Sequence, residues 1–299
     1  MHLDNLVPDT RYSYATTAGH AGSFITRRPD SKLGSFTLLS TSCQKAGWPY
    51  NPLQNSLNIR GLVHLDTYMR ALPRRPEAML FLGDFISPDS DLPLPRSEYT
   101  MKYYRRLYRQ IYASPSWTKA LLSLPFVHMF DDHEIVNDFA PGVIDSDTLY
   151  DRAIMPFNEY HLAVNPPSIH ASSSYTSFNI GRVAFFVLDN RTYRTPQPTR
   201  PGSDSTAGHG NQTMLGEEQK RAVRDWALQE GEVEGRLLVL VTGVPVTRNW
   251  SEGKDEMDSW AGYLDEREEI LELLWSSGGA VIISGDRHEH GTPSVIRSV

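Results

Sequence analysis

The chain has 299 residues, with 29 Lys and Arg against 36 Asp and Glu, a formal net charge of -7. That length accommodates one large α/β domain or two ordinary ones, and the acidic balance argues against a general nucleic-acid binder, whose footprint is basic. The single cysteine, Cys43, excludes an internal disulfide and a cysteine-rich zinc site. No apolar run approaches the ~18 residues that span a bilayer, and residues 1–20 lack the charged-then-apolar layout of a signal peptide.

In chain order, LDNLVPDTRYSYATTAGHAGSFIT comes first, with alternating tyrosines and a turn, as at the end of an immunoglobulin-like sandwich. Two strands cannot bury a core alone. Either they dock on the rest of the chain or strands before them are missing; the second reading is adopted, giving an incomplete β domain over 1–30 and a separate domain over 31–299. Short apolar runs then alternate with helical patterns, as in βαβ units on a largely buried sheet. Strands are expected at FTLLSTS (36–42), AMLFLG (78–83), PFVHMF (125–130), VAFFVLD (183–189), RLLVLVTG (236–243) and AVIISG (280–285). Ser97 and Glu98 open an expected helix whose face is Tyr99, Tyr103, Leu107 and Ile111. Ala222, Val223, Trp226 and Ala227 mark a second helix, and Tyr263, Arg267, Ile270, Leu271 and Leu274 a third. Pro196–Thr213 reads as loop.

Four strand ends carry residues suited to coordination rather than packing: SCQ (42–44), GDFIS (83–87), DDHE (131–134) and GDRH (285–288). Ligands of open α/β sheets gather beyond the carboxyl ends of strands, so these clusters are expected to meet in one crevice. Taken singly, Gly-Asp after a strand is turn chemistry and a lone cysteine a small hydrophobe. Adjacent carboxylates such as Asp131 and Asp132 repel unless a cation or proton intervenes, and four clusters together favour a metal site. Rival motifs fail: His133-Glu-Ile-Val-Asn137 places an asparagine where the zinc helix needs its second histidine, and no G-x-S-x-G, Walker A or G-x-G-x-x-G stretch occurs.

TSCQ, LGDFI, FDDHE, LDNRTYR, TGVP, LGEEQ, SWAGYLDERE and SGDRHEHG stand in the order of the PhoD-like alkaline phosphatases, of the calcineurin-like metallophosphoesterase superfamily, which the chain resembles over about residues 30–290. The resemblance implies an α/β fold, a four-layer αββα sandwich, with a remnant of the family's N-terminal immunoglobulin-like domain. It also implies hydrolysis of phosphate esters by a metal-activated hydroxide at a dinuclear site. Asp84 would bridge both metals, Cys43 and His288 would bind the first, and Asp132 and Asp286 the second. His133 would protonate the leaving alkoxide, and Arg191 would clamp phosphate with its planar fork of donors. An Fe/Ca pair, which the family uses, suits a thiolate and imidazole on one side and carboxylates on the other, with Zn, Mn or Mg as alternatives.

Two departures from the family pattern concern the site. Ser87 stands where the family has a metal-binding tyrosine, and TGVPVTRNW (242–250) lacks a histidine found in many metallophosphoesterases, leaving Asn249 as a possible oxygen donor. These departures, with the short termini, keep open a truncated or degenerate homologue that binds metal or phosphate without turnover. The expected partner is a phosphate ester, monoester or diester. Lys102, Arg105, Arg106 and Arg109 offer charge for a larger anionic substrate, although a solvated face is the plainer reading. Asn190, Asn211 and Asn249 begin glycosylation triplets, and the family's export points to a secreted or lumenal full-length form.

Overall fold

The computed structural model describes residues 3–30, 34–47, 56–89, 94–142, 146–171, 173–196, 212–247 and 258–288. The two tyrosine-rich segments form an antiparallel hairpin, β1 (Arg11–Ala15) and β2 (Ala21–Ile25). Tyr12 stacks on Phe24 with ring centroids 5.7 Å apart. The segment after the hairpin is tied to the remainder by Arg28 on Glu77 at 2.6 Å and by Asp30, which accepts from the Gly181 N–H.

Three parallel strands, β3 (Leu38–Thr41), β4 (Ala78–Leu82) and β5 (Phe126–Met129), make one sheet in that order. A second sheet runs β6 (Thr176–Ile180), β7 (Val183–Val187), β8 (Leu237–Thr242), β9 (Ala280–Ser284), with β6 antiparallel to β7 and the rest parallel. Side chains alternate across each strand, and the sequence uses both faces. Leu80, Leu82, Val127 and Met129 meet Phe185, Val187, Val239 and Val241 between the sheets. Met79 and Phe81 point the other way, onto α1 (Arg60–Ala71), α2 (Met101–Tyr112), α3 (Lys119–Leu122) and α4 (Ser146–Tyr160). Ala184 and Phe186 likewise face α5 (Gly216–Gly231) and α6 (Leu264–Ser276). The result is the expected αββα sandwich. Each fully buried Leu, Val or Phe contributes ~1.5–3 kcal/mol of transfer free energy, so the inter-sheet layer is what joins the two halves.

Several local expectations need correction. β6 was not anticipated, nor were α1, α3 and α4; Pro156 lies inside α4 and masks its helical pattern. Ser97 lies in a short 3-10 turn, and α2 begins after Thr100, whose hydroxyl accepts from the Tyr103 N–H at 3.2 Å. Its buried face is Tyr104, Tyr108 and Ile111, because the Tyr104 hydroxyl donates to the Ile135 carbonyl at 2.6 Å and Tyr108 stacks on Tyr160. β9 is an edge strand among the described residues, and Val281 is half exposed rather than buried. Residues 197–211 of the expected loop lie outside the described residues.

Under β4 and β5, His128 and His161 stack face to face, centroids 3.7 Å apart, with Phe85 edge-on to His161 at 4.5 Å. Both imidazoles are buried, and neither Nδ1 has a hydrogen-bond partner among the described residues. Burial pushes the His128 pKa down to about 3. An unfolded histidine takes up its proton near 6.5, so this group costs nothing above that pH and destabilises the fold progressively as pH falls from 6.5 towards 3. The slope is about 1.4 kcal/mol per pH unit. His128→Phe is expected to remove one proton's worth of that slope. Urea titrations of the two proteins between pH 7.5 and 4.5 measure it; parallel pH profiles would contradict it.

Candidate metal centre

The parallel ladder continues past β3 and β4 as irregular backbone: the Cys43 N–H donates to Gly83 O at 3.3 Å and the Gln44 N–H to Asp84 O at 3.2 Å. Cys43, Asp84, Asp286 and His288 all have positive φ, between 55° and 73°. Such a backbone costs a non-glycine residue ~1–2 kcal/mol, and its concentration on four metal-ligand types at one sheet edge is the mark of a functional site. Gly83 is required by the same crowding: at φ +92° its own Cβ would lie 2.4 Å from the Cβ of Asp131.

Glu134 holds the turns in place. Its carboxylate accepts from the N–H groups of Asp84 at 2.9 Å, Phe85 at 2.6 Å and Asp131 at 2.7 Å. The 3-10 turn Asp132–Glu134 then presents Asp132 and His133. His133 Nδ1 lies 2.7 Å from Asp89 Oδ1, whose second oxygen accepts from the Asn137 N–H at 2.9 Å.

Ligand-type atoms of Cys43, Asp84 and His288 lie within 4.8 Å of one another; so do those of Asp84, Asp131, Asp132 and Asp286, and those of Asp84, Asp132 and His133. Asp84 is common to all three groups. The six residues expected from sequence as metal ligands or proton donor are therefore brought together, around the residue expected to bridge. Asp131 belongs to the set as well; its adjacency to Asp132 was the available signal. Asp89 and Asp258 carried no motif, and Glu134 stood within DDHE without an assigned role. Asn249 lies outside the described residues.

Burial, then the charges of Asp131 and Asp132, raise the Asp84 pKa well above the carboxylate range. Burial lifts Asp131 to about 6 against the pull of Arg191, and lifts Asp286 to about 8 with Asp131 adding to it. Asp132 stays low despite burial, because Arg191 and His133 favour its charge. Burial and Asp84 push the Cys43 thiol up. Burial would lower His133, but its bond to Asp89 and the charges of Asp132 and Asp84 carry it to about 10. Among the described residues, Asp131 Oδ2 and Asp286 Oδ2 are buried without a hydrogen-bond partner, Arg287 Nη1 standing 3.8 Å from the latter. Orphaned buried carboxylate oxygens in a cluster that otherwise gathers protons are what a multivalent cation satisfies. The donor set fits a soft ligand pair on one side of Asp84 and hard oxygens on the other.

Arg191, expected to clamp phosphate, is buried among carboxylates. Its side chain is wholly buried, Nε donates to Asp131 Oδ1, Nη1 donates to Asp258 Oδ1 at 2.7 Å, and Nη2 is 3.7 Å from Asp132 Oδ1. Neighbouring carboxylates take Nε and Nη1, while Nη2 has no hydrogen-bond partner among the described residues. Asn190 is also buried, its Oδ1 accepting from the Gly243 N–H at 2.8 Å, so it is no glycan acceptor. On α2, Arg105 pairs with Glu159 and Arg106 covers the Tyr103 ring at 5.0 Å, while Lys102 and Arg109 are exposed.

A family model described as PhoD-like phosphatase matches residues 38–296. The chain belongs to this family. It is 23% identical over 325 residues to alkaline phosphatase D of Bacillus subtilis (strain 168), covering 96% of this chain and 52% of that protein. The solved structure titled "Structure of PhoD" superposes with a TM-score of 0.69 at 21% identity, over 95% of this chain and 58% of the other. A purple acid phosphatase, PPD1, from yellow lupin (Lupinus luteus) seeds superposes with a TM-score of 0.57 at 13% identity, over 96% of this chain and 45% of the other. The chain thus spans about half the length of the PhoD relative, and these likenesses show a shared metallophosphoesterase fold.

Glu134 gives the PhoD-like site a direct structural test. Removing its carboxylate leaves three buried N–H groups without acceptors, each costing ~1–3 kcal/mol. Glu134→Ala is expected to lower stability by about 3 kcal/mol or more in chemical denaturation; a loss below about 1 kcal/mol would show that the turns hold without it.

Proposed function

We propose that this chain hydrolyses phosphate esters at a dinuclear metal centre. The observation that carries the proposal is the placement of Asp84 at the intersection of the three ligand-type groups. Cys43, His288 and Asp84 would hold a softer ion such as iron or zinc; Asp84, Asp131, Asp132 and Asp286 would hold an oxygen-preferring ion such as calcium, manganese or magnesium. When bound, such cations lower the pKa of water towards ~7 and attract the anionic ester.

The chain's own groups do the rest. His133 is kept protonated by Asp89 on Nδ1, which leaves Nε2 to deliver a proton to the departing alkoxide. A histidine whose pKa is raised remains a competent donor at neutral and alkaline pH. Arg191 would orient Asp131 and Asp132 and balance their charge, with Nη2 the nitrogen that has no hydrogen-bond partner among the described residues. Glu134 and the positive-φ turns hold the ligands before any ion arrives, so little reorganisation is needed.

An aryl phosphate assay on the metal-loaded protein tests the proposal. Chelator is expected to abolish turnover, and Asp84→Asn to lower it by about a thousandfold or more, in the range of removing a main electrostatic element. Asp89→Asn is expected to cost about 10–100-fold in kcat with little change in KM, since general-acid catalysis contributes ~10²–10⁴-fold. Chelator-insensitive hydrolysis, or full activity in Asp84→Asn, would overturn it.

A further inference from the structure

Two buried guanidinium groups beside the candidate centre converge on a carboxylate that stands just before the SWAG stretch. Asp258 Oδ1 accepts from Arg191 Nη1 at 2.7 Å and forms an ion pair with Arg194 Nη2 at 2.9 Å. Arg191 extends that anchorage to Asp131 through Nε and stands with Nη2 3.7 Å from Asp132. Arg194 Nη2 also donates to the carbonyl oxygen of Phe139. The neighbouring Asp138 N–H in turn donates to Asp132 Oδ2 at 2.6 Å. Both oxygens of Asp132 are therefore reached from Asp258, one through each arginine. All five side chains of this network, Asp131, Asp132, Arg191, Arg194 and Asp258, are buried.

Asp258 also lies within 4.8 Å of Asp132 and Asp138, which would suit a ligand of a further ion. The chemistry of its Oδ1 opposes that role. A cation placed there would face two guanidinium charges already within 2.9 Å of that oxygen, and like charges at such range repel strongly in a buried setting. The arrangement is that of an outer partner which orients ligands, not of a ligand.

We infer that Asp258 is a positioning residue: it fixes the Arg191–Arg194 pair, and through that pair sets how Asp131 and Asp132 face the ion they hold. The inference rests on the reading of Asp84, Asp131, Asp132 and Asp286 as cation ligands.

Equilibrium dialysis of the full chain against manganese(II) alone, with free ion counted by electron paramagnetic resonance, tests it without turnover. Wild type, Asp258→Asn, Arg194→Gln and Asp132→Asn are compared, with circular dichroism to check folding. Asp258→Asn is expected to keep the wild-type stoichiometry at saturating manganese while one class of site weakens about 10–100-fold, the usual effect of losing an outer partner. Arg194→Gln, which leaves Asp258 and Arg191 in place, is expected to show the same defect, and it decides by the same criteria if Asp258→Asn does not fold. Asp132→Asn is expected to lose an equivalent outright. Manganese binding in Asp258→Asn at wild-type affinity would overturn the inference, as would loss of a whole equivalent, which makes Asp258 a ligand. A wild-type chain that binds no manganese would overturn both the inference and the metal-site reading beneath it.

Discussion

Four carboxylates, those of Asp84, Asp131, Asp132 and Asp286, are held with oxygens within 4.8 Å of one another at a buried sheet edge. Two unit charges ~4 Å apart repel by about 4 kcal/mol at an effective dielectric of ~20, so the ionised cluster is costly without a counter-charge. The surrounding structure answers that repulsion point by point. Arg191 places a permanent charge against Asp131 and Asp132; Glu134 binds three N–H groups so that the turns cannot relax outward; the raised pKa values of Asp131 and Asp286 show how readily the unaided cluster takes up protons. Cations replacing those protons, as proposed, would turn the same repulsion into a binding energy.

The αββα sandwich is the frame that makes this crowding tolerable. Inward residues such as Leu82, Met129, Val187 and Val241 seal the two sheets together immediately below the site. Gly285 shows how tight the join is: a Cβ there would come within 3.0 Å of Leu82 Cβ. Strand ends from both halves of the sandwich can then contribute to a single centre, Cys43 and Asp84 after β3 and β4 of one sheet, Asp286 and His288 after β9 of the other.

Strand ends were the most legible part of the sequence, because apolar runs of strand length followed by Gly-Asp or Asp-Asp-His carry both a period and a stop signal. Six residues singled out on that basis, and on the family resemblance, converge in the structure. What stayed hidden depends on contacts distant in sequence. Nothing local distinguishes Asp131 from Asp132 as the partner of Arg191, or marks Asp89 as the support of His133 from 44 residues away. The burial of Arg191 is a property of the packed loops and not of LDNRTYR. The face of α2 was misassigned because tyrosines ring most of the helix, and tertiary hydrogen bonds, such as Tyr104 to Ile135, select among them. β9 read as buried from its composition, although its neighbours leave one edge open.

The central claim is that Asp84 joins two ions. Anomalous X-ray diffraction from crystals of the iron- and manganese-loaded chain, collected at each metal's absorption edge, tests this most directly. Two separate peaks about 3.5–4 Å apart, both touching the Asp84 carboxylate with Cys43 and His288 on one and Asp131, Asp132 and Asp286 around the other, are the expected result. A single peak, or peaks that share no contact with Asp84, would contradict the account.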